Sequence, residues 1–442
     1  MIVMKFGGSS LASAEKISHC VALVRAEIER DPVVVVSALG KTTDRLLEAA
    51  DQALDGRVDL GEIEGSHEQL CEQLGLDARV IEPLLYELRA LLHGVSLIRE
   101  LTDRTRDRLM SYGERMSTRV VAAAMAGEGV PATAVNAWDA GVITDSVHGA
   151  ASPLLDSEER IAAELAKFDL VPVVTGFLGK DEQGHITTLG RSGSDYTASI
   201  LGAAIGAEEV QIWTDVNGVM TCDPTVDDRA RGLPELSFEE ASELAYYGAQ
   251  VLHPSTLVPA IRKGVPVLVR NTARPQDAGT RILPEPVRTS RLAKSVVYKE
   301  DVCLIHLASP RLTSAVDLLA RSLEVLARHR VGIHMATTSE ATVSLITGSG
   351  YDVQRLEAAL AELGGLGWVE TERGKTIVCV VGEELKGTAG VLGKIFGAVS
   401  AHGIKAKMVS QSASELNVAF LVDNDEITPA VRALHELLLE TS

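Results

Sequence analysis

Over the first two thirds of the chain, short unbroken apolar runs alternate with stretches whose apolar residues recur at helical spacing. Ile2 to Phe6 and Val33 to Val36 read as buried strands. Between them Ile17, Val21, Val24 and Ile28 fall on one helical face, so the chain opens on a β-α-β unit. Further strands are expected at Val171 to Val174, Val210 to Thr214 and Val265 to Val269. From about Ser66 to Gly127 the pattern is mostly helical, apolar on one face and rich in Glu and Arg on the other. This alternation predicts an α/β fold built on an open, mainly parallel sheet flanked by helices.

A proline-marked polar connector between Pro284 and Lys299 is the expected domain boundary. Beyond it two consecutive units read strand, helix, strand, strand, helix. The first runs from Val302 to Leu307 with a helix at Leu318 to Arg328, the second from Ile377 to Val381 with a helix at Val391 to Ser400. Ser339-Glu340 before Ala-Thr-Val-Ser-Leu recurs as Ser414-Glu415 before Leu-Asn-Val-Ala-Phe, so the C-terminal third is an internal repeat. The expected domains are 1–290, 296–374 and 375–442.

The length of 442 residues supports such a division, and 46% hydrophobic with 23% charged residues is a globular composition. A balance of 42 basic against 61 acidic residues gives a net charge of −19, which argues against nucleic acid and anionic membrane as partners. Five scattered cysteines show no metal or redox spacing, and no apolar stretch approaches the roughly 18 residues of a membrane span. A reducing cytoplasm is the expected compartment.

Three loops carry chemistry. Lys5-Phe6 runs into Gly7-Gly8-Ser9-Ser10 ahead of a helix, an arrangement that gathers backbone N–H groups beside a lysine and suits an anion; a tight turn with a surface lysine would explain the same residues. Thr187-Thr188-Leu189-Gly190-Arg191-Ser192-Gly193-Ser194-Asp195 again feeds a helix, expected at Thr197 to Ile205. Arg191 offers a planar fork for a carboxylate or phosphate, and Asp195 can hold a lysine or a metal-bound water. A capping Ser-Asp pair would account for Ser194 and Asp195 but not for Arg191. The loop from Thr214 to Pro224 follows a strand and is dense in turn residues, where open α/β sheets bind ligands; a structured surface loop explains its Gly218 and Asp223-Pro224 equally well. Ser37 to Thr43 and Gly113-Glu114-Arg115 are weaker pieces. There is no Gly-x-x-x-x-Gly-Lys-Ser/Thr, Gly-x-Gly-x-x-Gly or His-Glu-x-x-His, and no metal-ligand spacing.

Taken in order, Lys5 to Ser10, Ser37 to Thr43, Gly113 to Arg115, Gly190 to Asp195, Thr214 to Pro224 and Tyr247 to Pro254 resemble the aspartate kinases over essentially the whole chain. The resemblance implies an amino-acid kinase fold followed by two βαββαβ ACT domains, with ATP and Mg²⁺ as cofactors and L-aspartate as acceptor. It makes Lys5, Gly7, Gly8 and Ser9 the phosphate-binding strand and loop, with Asp195 orienting Lys5. Thr43, Glu114, Arg191 and Ser194 match the aspartate-binding positions, Arg191 for the α-carboxylate and Glu114 for the α-ammonium. Thr214, Asp215, Met220, Asp223 and Gln250 match the nucleotide side. Ser192, Met220, Thr225 and Gln250 depart from the commonest bacterial pattern, where glycine, tyrosine, arginine and lysine are frequent. The last three have counterparts in plant-type members.

The resemblance also implies feedback by an amino acid and a homodimer or larger assembly through the ACT domains, with effector contacts at His334, Thr338, Ser339 and Asn417. In lysine-sensitive relatives an aspartate stands at the position of His334. A histidine cannot replace that charge partner of an ammonium, so weak inhibition by lysine and a preference for threonine or another uncharged effector are expected. Two other readings are a kinase acting on glutamate, N-acetylglutamate or a nucleotide, and a catalytically dead amino-acid sensor. The Glu114 and Arg191 pairing with the repeat argues against the first, and the presence of Lys5 and Asp195 against the second.

Overall fold

A computed structural model describes residues 1–154, 157–249, 253–286, 289–309 and 314–440. They divide into two compact units, one of Met1–Val219, Gly232–Phe238 and Val251–Pro286, the other of Met220–Arg231, Glu239–Gln250 and Val287–Ser442.

The first unit begins with β1 (Ile2–Phe6), α1 (Ala14–Ala26), β2 (Pro32–Val36) and the helices α2 (Thr42–Leu54), α3 (Gly61–Gln73), α4 (Glu82–Ile98) and α5 (Asp103–Gly127). There follow β3 (Ala132–Val135), β4 (Ile143–Thr144), α6 (Ser157–Leu165), β5 (Val171–Thr175), β6 (Leu178–Asp181), β7 (Ile186–Thr188), α7 (Gly193–Ala204), β8 (Val210–Thr214) and β9 (Glu235–Ser237). After α8 (Phe238–Tyr247), most of which belongs to the second unit, come α9 (Pro254–Lys263), β10 (Val267–Asn271) and β11 (Thr280–Leu283).

Among the described residues the main sheet has eight strands in the order β3-β5-β2-β1-β8-β10-β11-β9. It is parallel from β3 to β10, and β11 runs antiparallel to β10. Every residue of β1, β2 and β5 is buried, which is why these strands read as unbroken apolar runs. The strand expected at Val265 begins at Val267, because the Val265 amide bonds Ala260 O at 3.0 Å and closes α9. Ser13 and Thr102 cap α1 and α5 with side chains that accept from Lys16 N and Thr105 N.

The second unit continues with β12 (Ser295–Ala308), α10 (Ala315–Arg328), β13 (Ile333–Thr338), β14 (Thr342–Thr347), α11 (Val353–Leu363) and β15 (Trp368–Val381). It ends with α12 (Val391–Ala401), β16 (Lys407–Gln411), β17 (Asn417–Asp423) and α13 (Ile427–Glu440). One antiparallel sheet runs β13-β14-β12-β15-β17-β16. Its two 14-residue strands each serve both repeats. Leu304 to Ala308 pair with Glu372 to Trp368 beside β14, whereas Ser295 to Lys299 pair with Val381 to Ile377 beside β17. The second repeat therefore takes its fourth strand from upstream of the first, and the boundaries expected at 296 and 375 fall inside β12 and β15. No helix of the described residues is long and apolar enough to cross a membrane.

Candidate active site

Strand order reverses at β1, with β2, β5 and β3 laid to one side and β8 and β10 to the other, and the loops at such a switch point form the ligand crevice of open α/β sheets. Lys5 lies on β1 and is buried, so its ammonium requires a counter-charge. Asp195, in the first turn of α7, supplies it with Nζ···Oδ1 at 2.6 Å. The loops after β1, β2 and β8 meet at this end. Gly7 N donates to Trp213 O at 3.2 Å and Gly40 N to Gly8 O at 3.1 Å. A methyl group on Gly8 would lie 2.8 Å from Ala38 O and 3.0 Å from Gly40 O, so this glycine is required by the close approach of two backbones.

The sequence predicts a helix N-terminus after Gly7-Gly8-Ser9-Ser10. Instead Gly8–Leu11 forms a 3₁₀ turn, and α1 starts at Ala14. Ser9 is exposed, with its carbonyl accepting from Lys16 Nζ at 2.8 Å. Ser10, which belongs to the glycine-loop motif but has no role of its own in it, bonds the Thr272 hydroxyl at 2.7 Å and ties this loop to the end of β10. The two residues are 262 positions apart, and no local pattern announces their meeting.

Glu114 is buried on α5. Its Oε1 accepts from Ala38 N at 3.2 Å, while Oε2 has no hydrogen-bond partner among the described residues. Burial pushes its carboxyl up to about 8. A buried carboxyl with one oxygen left open is matched to a cationic ligand group that would restore its ionised form. Thr43 is half-buried at the start of α2.

Arg191 is exposed and sits between two left-handed residues, Gly190 at φ +79° and Ser192 at φ +52°. Ser192 thus occupies a conformation that suits glycine, the residue frequent there in relatives. Helix α7 begins at Gly193, four residues before the expected start, so buried Ser194 and Asp195 belong to its first turn. The capping explanation for them is not realised, since the cap position is Ser192 and its side chain makes no capping bond.

Thr214 Oγ1 donates to Asp215 Oδ1 at 3.2 Å, and Thr214 O accepts from Thr272 N at 2.8 Å; the Asp215 side chain is exposed. Met220 and Asp223 belong to the second unit. There Met220 O accepts from the Ser295 hydroxyl at 2.9 Å, and the Asp223 carboxylate accepts from Thr225 N, the Thr225 hydroxyl and the Tyr298 hydroxyl. Gln250 lies outside the described residues.

Among the expected effector positions, His334 packs edge-on against Tyr246 with centroids 5.1 Å apart, and burial, helped by Lys299, pushes its imidazole down to about 4. It is therefore neutral at neutral pH. Thr338 and Ser339 are exposed at the β13–β14 turn. Asn417 is buried, donating to Glu243 Oε2 at 2.6 Å and accepting from Ser412 N.

Among the described residues, Cys222, Asp227 and His435 cluster with metal-type ligand atoms. Each polar group is already engaged: His435 binds Asp227 at 2.9 Å and the Thr221 hydroxyl at 2.8 Å, and Arg229 takes both Asp227 oxygens. Burial pushes the Cys222 thiol up to about 12. The cluster is a hydrogen-bonded tie between residues 221–229 and α13.

The chain matches the amino acid kinase family over residues 1–271 and an ACT domain over residues 378–438. It is 38% identical to the chloroplastic aspartokinase 1 of Arabidopsis thaliana, covering 99% of this chain and 80% of that one. It is 32% identical to the lysine-sensitive aspartokinase 3 of Escherichia coli, covering 100% and 99%. The crystal structure of E. coli aspartokinase III in complex with aspartate and ADP superimposes with a TM-score of 0.83 at 30% identity, covering 99% of this chain and 100% of that one. The chain belongs to the amino acid kinase family and, within it, to the aspartokinases.

Proposed function

We propose that this chain transfers the γ-phosphoryl group of ATP to the side-chain carboxylate of L-aspartate, giving 4-phospho-L-aspartate, the first step towards lysine, threonine and methionine. The observation that carries this reading is the placing, in one unit, of the Lys5–Asp195 ion pair beside the glycine loop together with a buried Glu114 oxygen that lacks a partner. Glu114 takes the α-ammonium of aspartate, Arg191 its α-carboxylate, and Thr43 and Ser194 complete the pocket. Lys5, Gly7, Gly8 and Ser9 meet the phosphates, with Thr214 and Asp215 on the nucleotide side.

The acceptor carboxylate, with a reference pKa of about 4, is already ionised and requires no general base. Its difficulty is approach to a polyanion, so catalysis rests on alignment and on positive charge. Lys5 supplies that charge at the transferring group, and Asp195 keeps its ammonium aimed. Mg²⁺ held by the ATP phosphates would supply further neutralisation of their charge beside Lys5 and the glycine loop.

The test is trapping of an acyl phosphate with hydroxylamine in the presence of ATP. Trapping with L-aspartate and not L-glutamate is expected. Trapping with glutamate alone would favour another amino-acid kinase, and no trapping with any amino acid a sensor. The second unit is assigned to feedback by an amino acid and to assembly as a homodimer or larger, in a reducing cytoplasm that suits five buried free thiols. Titrating lysine and threonine against wild type and His334→Asp identifies the effector. Strong lysine inhibition unchanged in the variant would show that His334 does not select it.

A further inference from the structure

Asp107, seven residues before Glu114 on α5, is buried and saturated with bonds. Its Oδ1 accepts the Thr188 hydroxyl at 2.7 Å, and Oδ2 accepts His148 Nδ1 at 2.8 Å, Gly149 N at 3.1 Å and Thr188 N at 3.3 Å. One carboxylate thus joins the turn at 148–149 to the end of β7. The joined segments also meet directly, with Ala151 N donating to Thr188 O at 2.9 Å and an added methyl on Gly190 lying 3.3 Å from Gly149 O. Directly beyond Thr188 the chain passes through Gly190, Arg191 and Ser192, where two left-handed residues bracket an exposed arginine. A short loop in so sparsely populated a conformation persists only when its surroundings fix it.

We infer that Asp107 is a positioning residue for aspartate binding, acting through Arg191. Its partners all donate to it, so an alanine in its place leaves buried N–H groups without acceptors and frees the loop, whereas an asparagine could turn its carbonyl to the three N–H donors and its amide to the Thr188 hydroxyl. This rests on the reading of Arg191 as the carboxylate binder, and the experiment separates the two. Steady-state kinetics are measured for Asp107→Ala, Thr188→Val, Arg191→Lys and the double variant Asp107→Ala with Arg191→Lys, alongside thermal unfolding. In Asp107→Ala the KM for aspartate should rise about tenfold or more, the scale seen when groups that orient a ligand-binding side chain are lost, with the KM for ATP within about twofold. Thr188→Val, which removes one of the four bonds and keeps the volume, should move the aspartate KM in the same direction by less. The double variant should be no worse than Arg191→Lys alone, because both changes act on one contact. If Asp107→Ala lowers only the melting temperature, or if the two KM effects multiply in the double variant, the positioning role is wrong. If Arg191→Lys itself leaves the aspartate KM unchanged, it is the substrate reading that fails. Should Asp107→Ala not fold, Thr188→Val decides, and an unchanged aspartate KM there overturns the role.

Discussion

The charge of Lys5 is expected to act on the transferring phosphoryl group and not on aspartate. Lys5→Ala should therefore lower kcat by about 10²-fold or more while leaving the aspartate dissociation constant nearly unchanged, as for loss of one preorganised electrostatic contact. Near-normal turnover of a folded variant would remove Lys5 from the site. Glu114 makes a different prediction. Its carboxyl is pushed up to about 8 by burial, so the folded protein holds a proton that the unfolded chain gives up near the ordinary value of 4.5. The ionised group then opposes folding increasingly as pH rises between those values. Glu114→Gln should match the wild type near pH 4 and exceed its stability at about pH 8, by on the order of 1 kcal/mol or more, in denaturant titrations. The same variant should bind aspartate poorly. In the wild type, aspartate should bind more tightly from about pH 6 to about pH 8, with proton release visible in buffers of different ionisation enthalpy. Lys5, Asp195 and Glu114 were legible in the sequence because motif order carries them. The open Glu114 oxygen and the four bonds of Asp107 were not, since both depend on what other elements bring to α5.

At the scale of elements, the loops after β1 and β2 lie so close that one added methyl decides function. Gly8→Ala places carbon 2.8 Å from a carbonyl oxygen on a second backbone that has no flexible end to yield, whereas Gly7→Ala meets the end of Lys5 at 3.5 Å. Gly8→Ala should cut kcat/KM for ATP by about tenfold or more, and Gly7→Ala by much less. Equal effects in the two variants would show that the loop is set by something other than this approach. The strands themselves were readable as apolar runs, because a parallel sheet buried on both faces leaves no alternation to interpret. Boundaries slipped where hydrogen bonds outweighed apolarity. Val265 went to the end of α9, and α7 took in Ser194 and Asp195 once Ser192 had turned left-handed. The repeat was equally visible, but sequence periodicity reports kinship between two halves and not which strand lies beside which.

For the molecule as a whole, the exchanged strand joins the fate of the two repeats. A chain ending at Gly374 keeps all four strands of the first repeat and strips away the apolar cluster that covers Cys222, Val226 and Val296, together with the His435 bonds to Thr221 and Asp227. Such a truncation should yield an aggregating, inactive protein and not an unregulated kinase; a soluble product with normal turnover and melting temperature would refute this. The shared strands also impose an order on biosynthesis. Ser295 to Lys299 leave the ribosome well before Val381 to Ile377 exist to pair with them. At a translation rate of about 5 to 20 residues per second, that interval is roughly 4 to 16 s. During it an apolar edge carrying Val296 and Val297 stands open to any neighbouring strand, including the same segment on the next nascent chain of a polysome. A chaperone that holds extended apolar segments would find its client window here, and synonymous codons that slow elongation between residues 300 and 376 would lengthen it.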